Sequence, residues 1–172
     1  MTTEYLINRE LEHVYAALMP ENRLVCRVCA ATGLRVGDVL QLKPGQLSPQ
    51  FWIREQKTGK RRRVNLKADL LADLRANAGE HWVFPGRDPR QHRTRQAVWK
   101  DVKRASKAFR LPQNVGVHSL RKVYACDLLS ASKGNVGKVQ RALNHSDAAT
   151  TMVYIMAAQL YKAKYGGGQS KH

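Results

Sequence analysis

The chain has 172 residues, 43% of them hydrophobic and 25% charged, a globular balance with length for one buried core that argues against wholesale disorder or a coiled coil. Its 30 Lys and Arg outnumber 13 Asp and Glu to give a formal charge of +17, a field suited to a polyanion, so nucleic acid is the expected partner. No apolar run approaches the ~20 residues that cross a bilayer, and the start Met1-Thr2-Thr3-Glu4-Tyr5 lacks the basic and apolar regions of a secretion signal, so a cytoplasmic protein without a membrane partner is expected.

From Asn8 the stretch Asn-Arg-Glu-Leu-Glu-His-Val-Tyr-Ala-Ala-Leu predicts an amphipathic helix with acidic residues in its first turn, stopped before Pro20. In the next helix Leu24, Val25, Val28, Cys29 and Ala31 are apolar on more than one side, and Gly33 is placed as the C-cap. Arg35 then lies just past a buried helix end. Cys26 and Cys29 form a lone Cys-x-x-Cys among three cysteines, with no second ligand pair at matching spacing; buried reduced thiols are expected, not a disulfide or a metal site. A short helix over 36–42 ends at Lys43-Pro44-Gly45, because the residue before proline avoids helical backbone. Between Gln46 and Leu66 the pattern turns to strands. Phe51-Trp52-Ile53 is an apolar run, and Val64 and Leu66 alternate after a turn at Thr58-Gly59, so a small antiparallel sheet is expected. Helical periodicity resumes over 67–78, and 82–86 reads as a buried extended segment ended by Pro85. Further helices are expected at 94–109, 119–130, 136–143 and 148–163, which makes the domain mainly helical α+β. Gly166-Gly167-Gly168 opens a polar tail, 166–172, after a domain expected to fill 1–165.

Taken singly, an Arg or Lys is usually a solvated charge, and a His or Tyr on a helix a packing residue. Several of them in a fixed order carry more. His118-Ser119-Leu120-Arg121 is followed by Leu143-Asn144-His145 and then by Tyr154, nine positions after that histidine. Upstream, Thr32-Gly33-Leu34-Arg35-Val36-Gly37-Asp38 sets an arginine at a helix junction, and Lys57-Thr58-Gly59-Lys60 sets a lysine at a hairpin tip. In this order the residues resemble the catalytic domain of the tyrosine recombinase, or phage integrase, family over nearly the whole chain. Trp82 to Gly86 resembles the family's Phe-Pro stretch. Asn144 stands where the family usually has glycine, and Asn65 where a proline is common; neither change removes a reacting group, and asparagine tolerates left-handed backbone.

The resemblance implies a site-specific recombinase that cleaves and rejoins double-stranded DNA through a 3′-phosphotyrosyl intermediate, without metal or other cofactor. Tyr154 would attack the phosphorus, and Arg35 and Arg121 would clamp the non-bridging oxygens with planar, permanently charged guanidinium groups. His118 and His145 would donate to the same oxygens, with His118 also assisting proton removal from Tyr154. Lys57 would protonate the departing 5′ oxygen. Asp38 is expected to support Arg35 by an ion pair, since a carboxylate beside the scissile phosphate would repel it. The run Lys60-Arg61-Arg62-Arg63 is expected to grip DNA phosphates, whereas Arg93, Arg95 and Lys100 are weaker candidates for such contacts and read equally well as a solvated face. The resemblance also implies a homotetramer on DNA, with Ala157, Leu160 and Tyr161 as the apolar face that meets a neighbouring protomer, and a separate N-terminal core-binding domain that is expected to be absent from this chain. Two rivals share these features in part: a type IB topoisomerase-like DNA relaxer, and a non-enzymatic DNA-binding relative, which the full set of six residues disfavours.

Overall fold

In the computed structural model, which describes residues 6, 8–111, 114–144, 151–153, 155–156, 159 and 163, the helices begin and end where local chemistry dictates. Helix α1 spans Asn8–Ala17 and α2 Pro20–Thr32, with Pro20 in its first turn, where a missing N–H costs nothing. Gly33 closes α2 at φ +66°, its N–H donating to the Cys29 carbonyl. Helix α3, Val36–Leu40, is shorter than expected because the chain next winds into a 3-10 turn over Pro44–Gln46.

Strands β1 (Gln50–Arg54) and β2 (Arg61–Asn65) pair antiparallel, with Phe51 opposite Val64 and Ile53 opposite Arg62. Among the described residues the sheet therefore has two strands, one fewer than the small three-stranded antiparallel sheet expected of an integrase-type catalytic domain. The 3-10 turn occupies the ground before β1, and Pro44 and Pro49 have no N–H to give a ladder. Helices α4 (Ala68–Asn77), α5 (Arg95–Ala108), α6 (Val117–Ala131) and α7 (Val136–Leu143) follow. The Thr94 and Asn135 side chains cap α5 and α7 by accepting from backbone N–H groups. Between α4 and α5, Val83 and Phe84 are fully buried in the expected extended segment, Val83 N–H donating to the Leu42 carbonyl at 3.0 Å.

Helix α2 runs through the core, packed against α6, while α1 lies on α5. Val25, Val28, Leu34, Phe84 and Leu120 belong to the main cluster, and Ala125, Val139 and Leu143 form a smaller one that docks α7 on α6. Cys26, Cys29 and Cys126 are all buried, and burial above all pushes the Cys29 thiol up to about 12, so it stays protonated. Of the expected last helix, 151–153, 155–156, 159 and 163 are helical. His145, Tyr154, Ala157, Leu160, Tyr161 and the 166–172 tail lie outside the described residues. No described helix is long and apolar enough to cross a membrane.

Candidate functional site

The hairpin β1–β2 obeys the twofold alternation of a strand, and that alternation builds the site. Phe51 and Ile53 face the core from β1, as Val64 does from β2. Continuing the same face brings in Glu55, just past β1, and Arg62. Glu55 is 0% exposed, and the Arg62 side chain only 10%. Glu55 Oε2 accepts from Arg35 Nη1 at 2.8 Å, Thr58 Oγ1 at 3.0 Å and Asn144 Nδ2 at 3.3 Å, and Arg62 Nη1 lies 3.5 Å from Oε1. Burial opposes the Glu55 charge, but hydrogen bonds from Thr58 and Arg35 and the charges of Arg35 and Arg62 outweigh it, holding the carboxyl below the ordinary glutamate value.

The carboxylate paired with Arg35 is thus Glu55, and not the expected Asp38. Asp38 turns toward the hairpin, where its Oδ1 accepts the Gln56 N–H at 2.9 Å; its buried Oδ2 has no hydrogen-bond partner among the described residues. Burial, with help from the nearby Glu55 charge, raises the Asp38 pKa. Arg62 also departs from expectation. Its guanidinium donates to the Thr32 and Gly33 carbonyls at the end of α2 and lies near the Tyr124 ring, so it braces the fold. Lys60, Arg61 and Arg63 remain exposed, Arg61 lying 5.2 Å from the centroid of the exposed Trp52 ring.

Four of the expected residues, Arg35, Asp38, Lys57 and His118, line one open cleft of about 740 Å³. From the start of α5, Arg95, Gln96 and Trp99 also line it. These three went unmarked or weakly marked in the sequence; the N-cap Thr94, which fixes where α5 starts, was the available signal. His118 stands at the start of α6, at the solvent-accessible lip. Partial burial, followed by the charges of Arg121, Arg35, Arg95 and Lys122, lowers its pKa below the ordinary 6.5, so its imidazole is neutral at pH 7.

Arg121 is not among the cleft-lining residues. It is 3% exposed, one turn along α6 from His118, and its guanidinium donates to the Gly33 and Leu143 carbonyls. A cation across two helix C-termini is favoured by their partial negative charge, and it ties the end of α2, two residues before Arg35, to the end of α7, two residues before His145. Asn144 adopts the left-handed conformation at φ 56°, keeping the backbone shape that glycine would give.

A model of the phage integrase family matches residues 4–160. The chain is 31% identical to the putative integrase/recombinase y4qK of Sinorhizobium fredii over 157 residues, covering 87% of this chain and 51% of that protein. It is 30% identical to the integrase of Escherichia phage P2 over 161 residues, 92% of this chain and 44% of the relative, and so spans about half the length of these curated relatives. Among solved structures, a lambda integrase tetramer bound to a Holliday junction superposes with a TM-score of 0.72 at 20% identity, over 90% of this chain and 48% of that one, a likeness of fold. Fold, residue order and family match agree: the chain belongs to the phage integrase family.

Proposed function

We propose that this chain, with 1–165 as its catalytic domain, is the catalytic part of a site-specific recombinase that cuts and rejoins double-stranded DNA in the cytoplasm. The observation that carries the reading is the cleft where Arg35, Lys57 and His118 converge, with Arg121 held behind it. A tyrosine of pKa ~10 is about a thousandth ionised at neutral pH, so its proton must leave as the bond to phosphorus forms. Neutral His118 is suited to accept it. Tyr154 attacks in line, Arg35 and Arg121 offset the charge gathering on the non-bridging oxygens, and His145 donates to the same oxygens. The bond from phosphorus to the 5′ oxygen breaks, and Lys57 gives that oxygen its proton. A 3′-phosphotyrosyl link and a free 5′ hydroxyl result; attack by a second 5′ hydroxyl reverses the steps and reseals the strand, with no net oxidation and no cofactor required.

Lys60, Arg61 and Arg63 hold the flanking backbone, which positions the duplex without reading its sequence. The working assembly is a homotetramer, with Ala157, Leu160 and Tyr161 contributing the face between protomers; the tetrameric state of the lambda integrase on its junction supports this. The test incubates supercoiled plasmid carrying DNA adjacent to this gene with the chain, without metal, and quenches in detergent. Covalent attachment is expected from the native protein and none from Tyr154→Phe. Intact DNA binding without attachment would overturn the reading in favour of a non-enzymatic DNA-binding protein.

A further inference from the structure

Glu55 is a fully buried carboxylate beside the cleft proposed to hold the DNA phosphate, where its charge would oppose that phosphate unless it did something for the groups around it. Its oxygens receive Arg35 from the α2–α3 junction, Thr58 from the hairpin tip, Arg62 from β2 and Asn144 from the end of α7. The backbone is drawn in as well: Glu55 N–H donates to the Lys60 carbonyl, and the Glu55 carbonyl accepts the Gly59 N–H, closing the loop that carries Lys57. Lys57 is thereby bracketed by two buried carboxylates, Asp38 through the Gln56 N–H on one side and Glu55 through the Thr58 hydroxyl on the other. Asn144 immediately precedes His145, and a glycine at that position could not reach Glu55.

From this convergence we infer that Glu55 is a positioning residue that holds Arg35, the Lys57 loop and the segment entering His145 in one mutual register. The inference rests on the recombinase reading above. Without the carboxylate, Arg35 and Arg62 face each other with nothing between them to offset their charges. Arg35 then leaves its place at the cleft wall, while the positive field for DNA grows.

The experiment measures single-turnover attachment to a nicked duplex carrying the same adjacent DNA, at saturating protein, together with the DNA dissociation constant and a melting curve. Glu55→Gln is expected to bind DNA at least as tightly, to melt cooperatively, and to form adduct about 100-fold more slowly. Asn144→Gly, which keeps the left-handed turn, is expected to lose about tenfold or less. Because Glu55 acts through Arg35, Glu55→Gln is expected to cost much less in an Arg35→Lys background, whereas a purely structural role would give the same loss in both. Adduct formation by Glu55→Gln within about threefold of the native rate, or equal losses in the two backgrounds, overturns the inference while the Tyr154-dependent native adduct leaves the reading standing. A native protein that binds DNA but forms no Tyr154-dependent adduct overturns the reading, and the inference falls with it.

Discussion

At His118, partial burial first and then the charges of Arg121, Arg35, Arg95 and Lys122 keep the imidazole neutral. A neutral base loses its role only when it protonates, so adduct formation should fall on the acid side with an apparent pKa below the ordinary 6.5. Replacing Arg95 with glutamine removes one of these cations and should move that limb upward toward 6.5, as read from a pH–rate profile; an unmoved limb would assign it to another group. The cleft residues Arg35, Lys57 and His118 were legible because their order along the chain is unusual, whereas Glu55 and Arg62 carry no such mark. Glu55 reads as an ordinary charge beside a turn, and Arg62 as one of four adjacent basic residues. The strand period separates them: residues two apart share a face, so 51, 53 and 55 point inward with 62 and 64, while 61 and 63 point out. Asp38 illustrates the converse, since spacing alone suggests a partner for Arg35 but does not fix which carboxylate tertiary folding delivers.

Helix ends repeat this lesson at a larger scale. Pro20, Gly33, Thr94 and Asn135 each end or begin a helix for a reason visible in one residue, which is why those boundaries could be read. The strand that did not form was not visible in the same way, because its absence depends on a 3-10 turn and two prolines acting together. At Gly33, a Cβ would fall 2.3 Å from the Tyr124 ring in addition to meeting positive φ, and the Gly33 carbonyl receives both Arg62 and Arg121. Gly33→Ala should therefore cost about 3 kcal/mol or more, measured by urea unfolding; a loss below ~1 kcal/mol would mean that the ring moves away freely. Asp101 on α5 joins elements differently, accepting from Met19 N–H at 2.9 Å, Asn22 Nδ2 at 2.7 Å and Arg104 Nε at 3.0 Å. Burial opposes its charge, but these hydrogen bonds hold its pKa below the ordinary 3.8. Asp101→Asn should lose about 2 kcal/mol at neutral pH. Because the folded pKa is the lower one, the native advantage is full above the unfolded value and fades as pH falls through the folded value. The gap between the two proteins should begin to narrow only below about pH 4 and close once pH has fallen past the folded value, and a gap that stays constant in acid would deny the ionised state its part.

Over the whole molecule the +17 charge is divided between cations that hold the fold and cations that face outward. Arg62 braces the end of α2 through its carbonyls, Arg121 donates to helix-end carbonyls from behind the cleft, and Arg35 is paired with Glu55. Arg61 and Arg63, on the outer face of the hairpin, remain exposed beside Trp52. Composition cannot make this division, since every arginine counts alike in a net charge, but it decides what each substitution does to DNA binding. Each phosphate contact contributes about 0.9 to the slope of log affinity against log salt on duplex DNA. Arg61→Ala with Arg63→Ala should therefore flatten that slope by about 2 while leaving the melting temperature nearly unchanged. Arg62→Ala should do the opposite, lowering stability by removing contacts to Thr32, Gly33 and Glu55, with little effect on the slope of the molecules that remain folded. Titrating a nonspecific duplex at several salt concentrations separates the two cases. Parallel slopes for native protein and the double variant would place the outer face of the hairpin away from the phosphates, and a stable Arg62→Ala with a flattened slope would return that guanidinium to the DNA.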